Sequence, residues 1–160
     1  MRKLLILVAL LALLAIPALP VAAQNTLLNG TVAEATLTIS APSNIAFGTF
    51  VPGNNDRTST TAGSVAVIPN SQSPTGWTVD AKDANQSTNS GYMLNNSTPL
   101  ASKLLLSKDG LSTTAPADSG INYTGGTFPG SLPFAVRQNI GSDASGTYYI
   151  TISFTGAPTF

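Results

Sequence analysis

The chain has 160 residues, seven basic and seven acidic side chains, and neither histidine nor cysteine. These absences exclude a Ser-His-Asp triad, a Cys-His pair, imidazole or thiolate metal sites and a disulfide framework. They leave oxygen-ligand chemistry and packing as the available themes.

Arg2 and Lys3 precede an apolar run from Leu4 to Leu19, and Val21-Ala22-Ala23 then supplies small residues before Gln24. This is the pattern of a secretory signal peptide over residues 1–23, and Pro17 and Pro20 suit a cleavage region better than a continuing span. The expected secreted chain is residues 24–160, read as one domain with 24–40 as an extension or donor strand. It keeps five basic residues (Arg57, Lys82, Lys103, Lys108, Arg137) and all seven acids, a net charge of −2. No basic stripe is present to neutralise phosphates, so neither nucleic acid nor an anionic membrane surface is an expected partner. No stable membrane span is expected after cleavage. Without an apolar tail or lipidation cysteine, no C-terminal anchor is expected either.

Beyond residue 24, short period-2 runs alternate with Gly, Pro, Asn, Asp and Ser, and no amphipathic helix is predicted. Predicted strands are Thr31 to Ser40, Ile45 to Val51, Ser64 to Ile68, Gly76 to Ala81, Lys103 to Ser107, Leu132 to Ile140 and Gly146 to Thr155. Leu104-Leu105-Leu106 reads as a strand buried on both faces. The last run has the clearest alternation and reads as an edge or closing strand. A short strand is expected around Tyr92-Met93-Leu94. Pro52-Gly53-Asn54-Asn55-Asp56 reads as a turn, and Ala84 to Ser102 and Asp109 to Pro129 read as long loops. The predicted fold class is all-β, an Ig-like or Greek-key β-sandwich of about seven to nine strands after an N-terminal signal helix.

Candidate sites are sparse. Asp80 and Asp83, with Asn85 and Asn89, are oxygen ligands that one calcium ion could gather, although their spacing does not match the EF-hand loop. The same acids, with Glu34 and Asp143, are the material for a two-carboxylate hydrolase. As solvated turn acids they need no ligand. Trp77 reads either as a sugar-stacking platform or as a core residue between sheets; Tyr92, Tyr123, Tyr148 and Tyr149 are the other stacking candidates. Asn29, Asn85, Asn95, Asn96 and Asn122 begin N-x-[ST] sequons and are candidate glycosylation sites. No cofactor is expected.

Three segments carry a resemblance: Phe47-Gly48-Thr49-Phe50, the strand Gly76-Trp77-Thr78-Val79-Asp80-Ala81, and the ending Gly146 to Gly156. Together they resemble small secreted β-sandwich proteins of archaea and bacteria, among them WxL-domain-like surface proteins, secreted methanogen proteins and, more distantly, spore coat U and pilin-type subunits. The resemblance implies a non-enzymatic cell-surface or filament-forming domain and carries over no catalytic residue. The expected function is a secreted structural surface protein, associating with itself or with other envelope components through β-strand addition. The alternative is a carbohydrate-binding or adhesive module, with a carboxylate hydrolase behind both.

Overall fold

The alternation in Gly76-Trp77-Thr78-Val79-Asp80-Ala81 becomes the middle of a sheet, because its apolar face has two strands to lie between. The computed structural model describes residues 35–68 and 73–160. The expected signal peptide, Asn29, Glu34 and all of the expected extension before Ala35 lie outside them.

Twelve strands and one helical turn are found among the described residues: β1 (Thr36–Ser40), β2 (Gly53–Thr58), β3 (Gly63–Ile68), β4 (Gly76–Asp83), α1 (Gln86–Asn89), β5 (Leu94–Asn95), β6 (Thr98–Pro99), β7 (Leu105–Ser107), β8 (Ala115–Pro116), β9 (Ile121–Gly125), β10 (Gly130–Leu132), β11 (Ala135–Ile140) and β12 (Ile152–Thr159). All pairings are antiparallel. One layer has the order β12-β4-β9. In the other, β1-β3-β10 runs on into β2-β11-β7-β8, because β2 and β3 are successive parts of one path and so are β10 and β11. Thr58 pairs with Ala135 and Gly63 with Leu132, so four residues on one path oppose two on the other. The two extra residues form a bulge that bends the sheet. The Ser59 amide spans the bend to the Phe134 carbonyl at 2.9 Å. Pro133, which has no N–H to donate, separates β10 from β11 and splits the predicted Leu132–Ile140 strand. Treating the two bent paths as single strands brings the count close to the seven to nine expected. Chain neighbours β3 and β4 lie in different sheets, as do β9 and β10, so the chain crosses between layers as Greek-key sandwiches do.

Two apolar clusters fill the interior. Val65, Trp77, Val79, Ala81, Tyr123 and Leu132 form one, with Leu37 and Ile39 of β1 half-buried against it. Met93, Leu100, Leu104, Leu106, Phe134, Val136 and Tyr148 belong to the other. Each fully buried Leu or Val contributes about 1.5–3 kcal/mol relative to exposure.

Three readings of the sequence are corrected. The polar cluster Gly53 to Asp56 is strand, not turn. Its polar side chains find partners on β11: Asn54 opposite Asn139 at 2.8 Å, and Asp56 accepting two bonds from the Arg137 guanidinium at 2.7 Å. Such cross-strand pairs stabilise a ladder that propensity alone would not favour. Asp109–Pro129 is not one loop but holds β8 and β9, with the Tyr123 hydroxyl donating to the Pro133 carbonyl at 2.7 Å. The final strand begins at Ile152 rather than Gly146 and runs to Thr159 at the edge of its sheet.

The turn after β7 is tied by one carboxylate. Asp109 accepts from the Thr113 hydroxyl, from the Thr113 amide at 2.9 Å and from the Ser107 hydroxyl at 2.7 Å. The Thr113 hydroxyl first, then these other donors, lower its pKa to about 2. A depressed carboxylate pKa favours the folded turn above the unfolded value near 4 and loses that contribution as pH falls toward 2. NMR titration is expected to show the Asp109 carboxyl titrating near pH 2 in the folded protein, with the Thr113 amide losing protection in step.

Candidate functional site

Two segments expected as strands, Ile45–Val51 and the Gly146–Thr151 part of the last run, form no ladder among the described residues; side chains alternate inward and outward over 45–48 and 148–151, while Phe50 turns inward and Thr49 and Val51 are exposed. Ile45 and Phe47 are half-buried while Ala46 and Gly48 are exposed; Tyr148 and Ile150 point inward while Tyr149 and Thr151 point outward. The only bridge on the second segment is an isolated one between Tyr149 and Leu94.

Between these segments lies an apolar groove. It consists of two adjoining cavities of about 680 and 440 Å³ that share Ile45, Phe47, Met93, Tyr148 and Tyr149. One is flanked by Phe50, Leu100 and Ile140, the other by Leu104, Phe134, Val136, Ile152 and Phe154. The floor is therefore the second core cluster itself. Phe47 stacks against Phe50 with centroids 5.0 Å apart, and Phe134 meets Phe154 edge-on at 5.4 Å. The first flank is held by side chains: Arg57 donates to the Phe47 carbonyl at 2.8 Å, and the Asn55 amide brackets Val51, accepting from its N–H at 3.0 Å and donating to its carbonyl at 2.8 Å. Asn55 is buried, so this clamp is part of the fold rather than a surface accident.

The groove holds one carboxylate among its lining residues, Asp143, and both of its oxygens are engaged. They accept from the Ala101 amide at 2.6 Å and the Gly141 amide at 2.9 Å. Among the described residues no second acid lines the groove opposite it.

The calcium reading is corrected. Asp80 and Asp83 are three apart on β4 and face opposite sides of the sheet, Asp80 exposed and Asp83 buried at 2%. Both Asp83 oxygens are engaged by the protein: they accept from the Asn85 amide at 2.9 Å, the Asn89 side chain at 3.3 Å and the Gly91 amide at 3.0 Å. Its carboxylate organises the α1 turn. Asp80 instead accepts from Asn122 Nδ2 at 2.6 Å. No cluster of three or more acids suited to a metal occurs among the described residues.

The stacking reading of Trp77 is corrected as well. The indole is 5% exposed, donates to the Thr127 carbonyl at 3.0 Å, and lies against Gly125 and Gly130. No face remains for a sugar ring. Tyr123 and Tyr148 are buried too, Tyr92 is half-buried with the Lys103 ammonium 5.7 Å from its ring centroid, and only Tyr149 is strongly exposed. Of the sequon residues, Asn85, Asn96 and Asn122 are exposed and Asn95 is half-buried. The Asn122 amide nitrogen, the atom a glycan would take, is engaged by Asp80.

Among the described residues no helix is long and apolar enough to cross a membrane.

No family model matches this chain. No curated protein matches it either. Among solved structures, it aligns with a chain from a complex of a fimbrial chaperone with a tip adhesin, described as vital for synergistic activation of CFA/I fimbriae biogenesis. The TM-score is 0.45 at 15% identity, covering 78% of this chain and 42% of that one. The chain thus spans less than half the length of that structure. The resemblance to WxL-domain-like and spore coat U proteins gains no support from these matches.

The groove escaped sequence reasoning because both flanks were counted as strands. The signal that could have exposed it was a shortage of partners: the run around Tyr92-Met93-Leu94 is too short to cover a flank, and it meets Gly146–Thr151 at Tyr149 alone.

Proposed function

We propose that this is a secreted, non-enzymatic cell-surface protein that associates with itself by β-strand addition, an extended segment of one copy filling the groove of the next. The observation that carries the reading is the pair of flanks, strand-patterned over 45–48 and 148–151, that line one groove over the apolar core with no strand between them among the described residues. An added strand would satisfy backbone groups on both sides and cover the apolar floor, the two components of affinity in strand addition.

The donor is residues 24–34. The sequence places the donor within 24–40, but Thr36–Ser40 are committed to β3 within the chain. Only residues upstream of β1 are left to donate. In an extended chain Leu28, Gly30 and Val32 fall on one face. Eleven residues reach about 36 Å at 3.3 Å each when extended. Secretion follows from the signal-like pattern of residues 1–23, and other envelope components could donate a comparable strand. Asn85 and Asn96 are the glycan acceptors this reading keeps.

Sedimentation of residues 24–160 beside a chain beginning at Ala35, which keeps β1, tests the proposal. The longer protein is expected to assemble and the shorter to remain monomeric until a peptide of residues 24–34 binds it. Equal assembly of both, or failure of the peptide to protect the 45–51 and 146–151 amides from exchange, would remove its support.

A further inference from the structure

Among the described residues, the outer strands β1, β8, β9 and β12 are not equally guarded. β8 is two residues long and includes Pro116, and β12 contains Gly156 and Pro158. β9 has the Lys108 ammonium 2.5 Å from the Asn122 carbonyl. Short length, proline and lysine are the usual devices that stop one edge from pairing with another chain. β1, Thr36-Leu37-Thr38-Ile39-Ser40, has none of them, yet among the described residues it ends its sheet with β3 as its one ladder partner.

We infer that this edge pairs with β1 of a second copy, antiparallel about a two-fold axis at Thr38. The strand is self-complementary about that residue. Reversal places Thr36 opposite Ser40 and Leu37 opposite Ile39, so hydroxyls meet hydroxyls on the outer face and apolar side chains meet on the inner face. Such cross-strand pairs are favourable, and no like charges oppose one another. Each copy supplies the same patch, as a two-fold interface requires. The outer face beside β1 continues uncharged through Ser64, Ala66 and Ile68, the last 59% exposed.

The core supplies an independent reason. Val65 in the neighbouring strand β3 is fully buried, whereas Leu37 and Ile39 are only half-buried. The apolar cluster thins at this edge, and a second copy of the same two side chains would extend it. The interface is separate from the groove, so filament growth through the groove and pairing through β1 can proceed together.

Concentration-dependent hydrogen exchange on residues 24–160 tests this without a variant. Amides of 36–40 are expected to gain protection as concentration rises. Thr38→Lys then places two ammonium groups against each other at the axis, on an exposed position of each copy. It is expected to raise the dissociation constant of the dimer by at least about tenfold and to erase the added protection, with the melting temperature of the monomer unchanged. Thr38→Val, neutral and β-branched, is expected to keep the dimer. Protection at 36–40 that does not change with concentration, or association that Thr38→Lys leaves intact, would overturn the inference. The groove reading is scored by different amides, those of 45–51 and 146–151, which Thr38→Lys leaves as they were.

Discussion

Gly130→Ala is expected to destabilise the fold by about 2–3 kcal/mol, the range for overpacking a filled core. A Cβ at Gly130 would meet the six-membered ring of Trp77 well inside van der Waals distance, and one at Gly125 would come within 2.5 Å of the same ring. The ring has nowhere to go. Its N–H is anchored to the Thr127 carbonyl, and Trp77 sits on β4 between Gly125 on one side and Pro158 on the other. The two glycines are thus the space the indole occupies. Urea unfolding gives the cost directly. For a domain of this size the melting temperature is expected to fall by roughly 2–4 °C for each kcal/mol. A double-mutant cycle identifies the cause: in a Trp77→Phe background, where the ring is smaller, Gly130→Ala is expected to cost less than in the parent. Strict additivity would mean that the methyl group acts elsewhere.

Asp83→Ala is expected to cost about 2–3 kcal/mol, because it strands the Gly91 amide, which is buried, and the Asn85 amide without acceptors. Asp83→Asn keeps acceptor oxygen and is expected to lose less. Hydrogen exchange should show the damage confined first to the α1 turn, residues 84–91, whose geometry this carboxylate holds. Calcium addition is expected to leave the melting curve of the parent protein unchanged. A stabilisation that rises with calcium and disappears in Asp83→Ala would restore the ligand reading that the hydrogen bonds of Asp83 argue against.

Much of the sandwich was legible as period-2 alternation, because the side chains that face the core are a property of the strand itself. Ser64 to Ile68, Gly76 to Ala81 and Lys103 to Ser107 became β3, β4 and β7 with small shifts at their ends. The misreadings share one cause. Gly53 to Asp56 looks like a turn until β11 brings Asn139 and Arg137 alongside it, some eighty residues later in the chain. Ile121 to Gly125 likewise looks like loop until β4 offers it a ladder.

The site was less legible than the fold. Trp77 was weighed as platform and as core, and the decision rests on two glycines, Gly125 and Gly130, that are remote in sequence and adjacent in space. The groove was invisible, since alternation reports which way a side chain points and not whether a neighbouring backbone is present to pair with.

The sequence by itself determined that the chain lacks thiol and imidazole chemistry, that the residues after the signal-like segment favour strands, and which faces of those strands are apolar. Composition and side-chain order are local, and these consequences follow from them alone. Only the tertiary structure decided which strands have partners. It placed polar β2 within a sheet, sealed Trp77 in the core, and left Ile45–Val51 and Gly146–Thr151 outside the ladders, on either side of a groove that no other described strand enters. Backbone pairing depends on what the rest of the chain brings alongside, and no residue carries that in its own side chain.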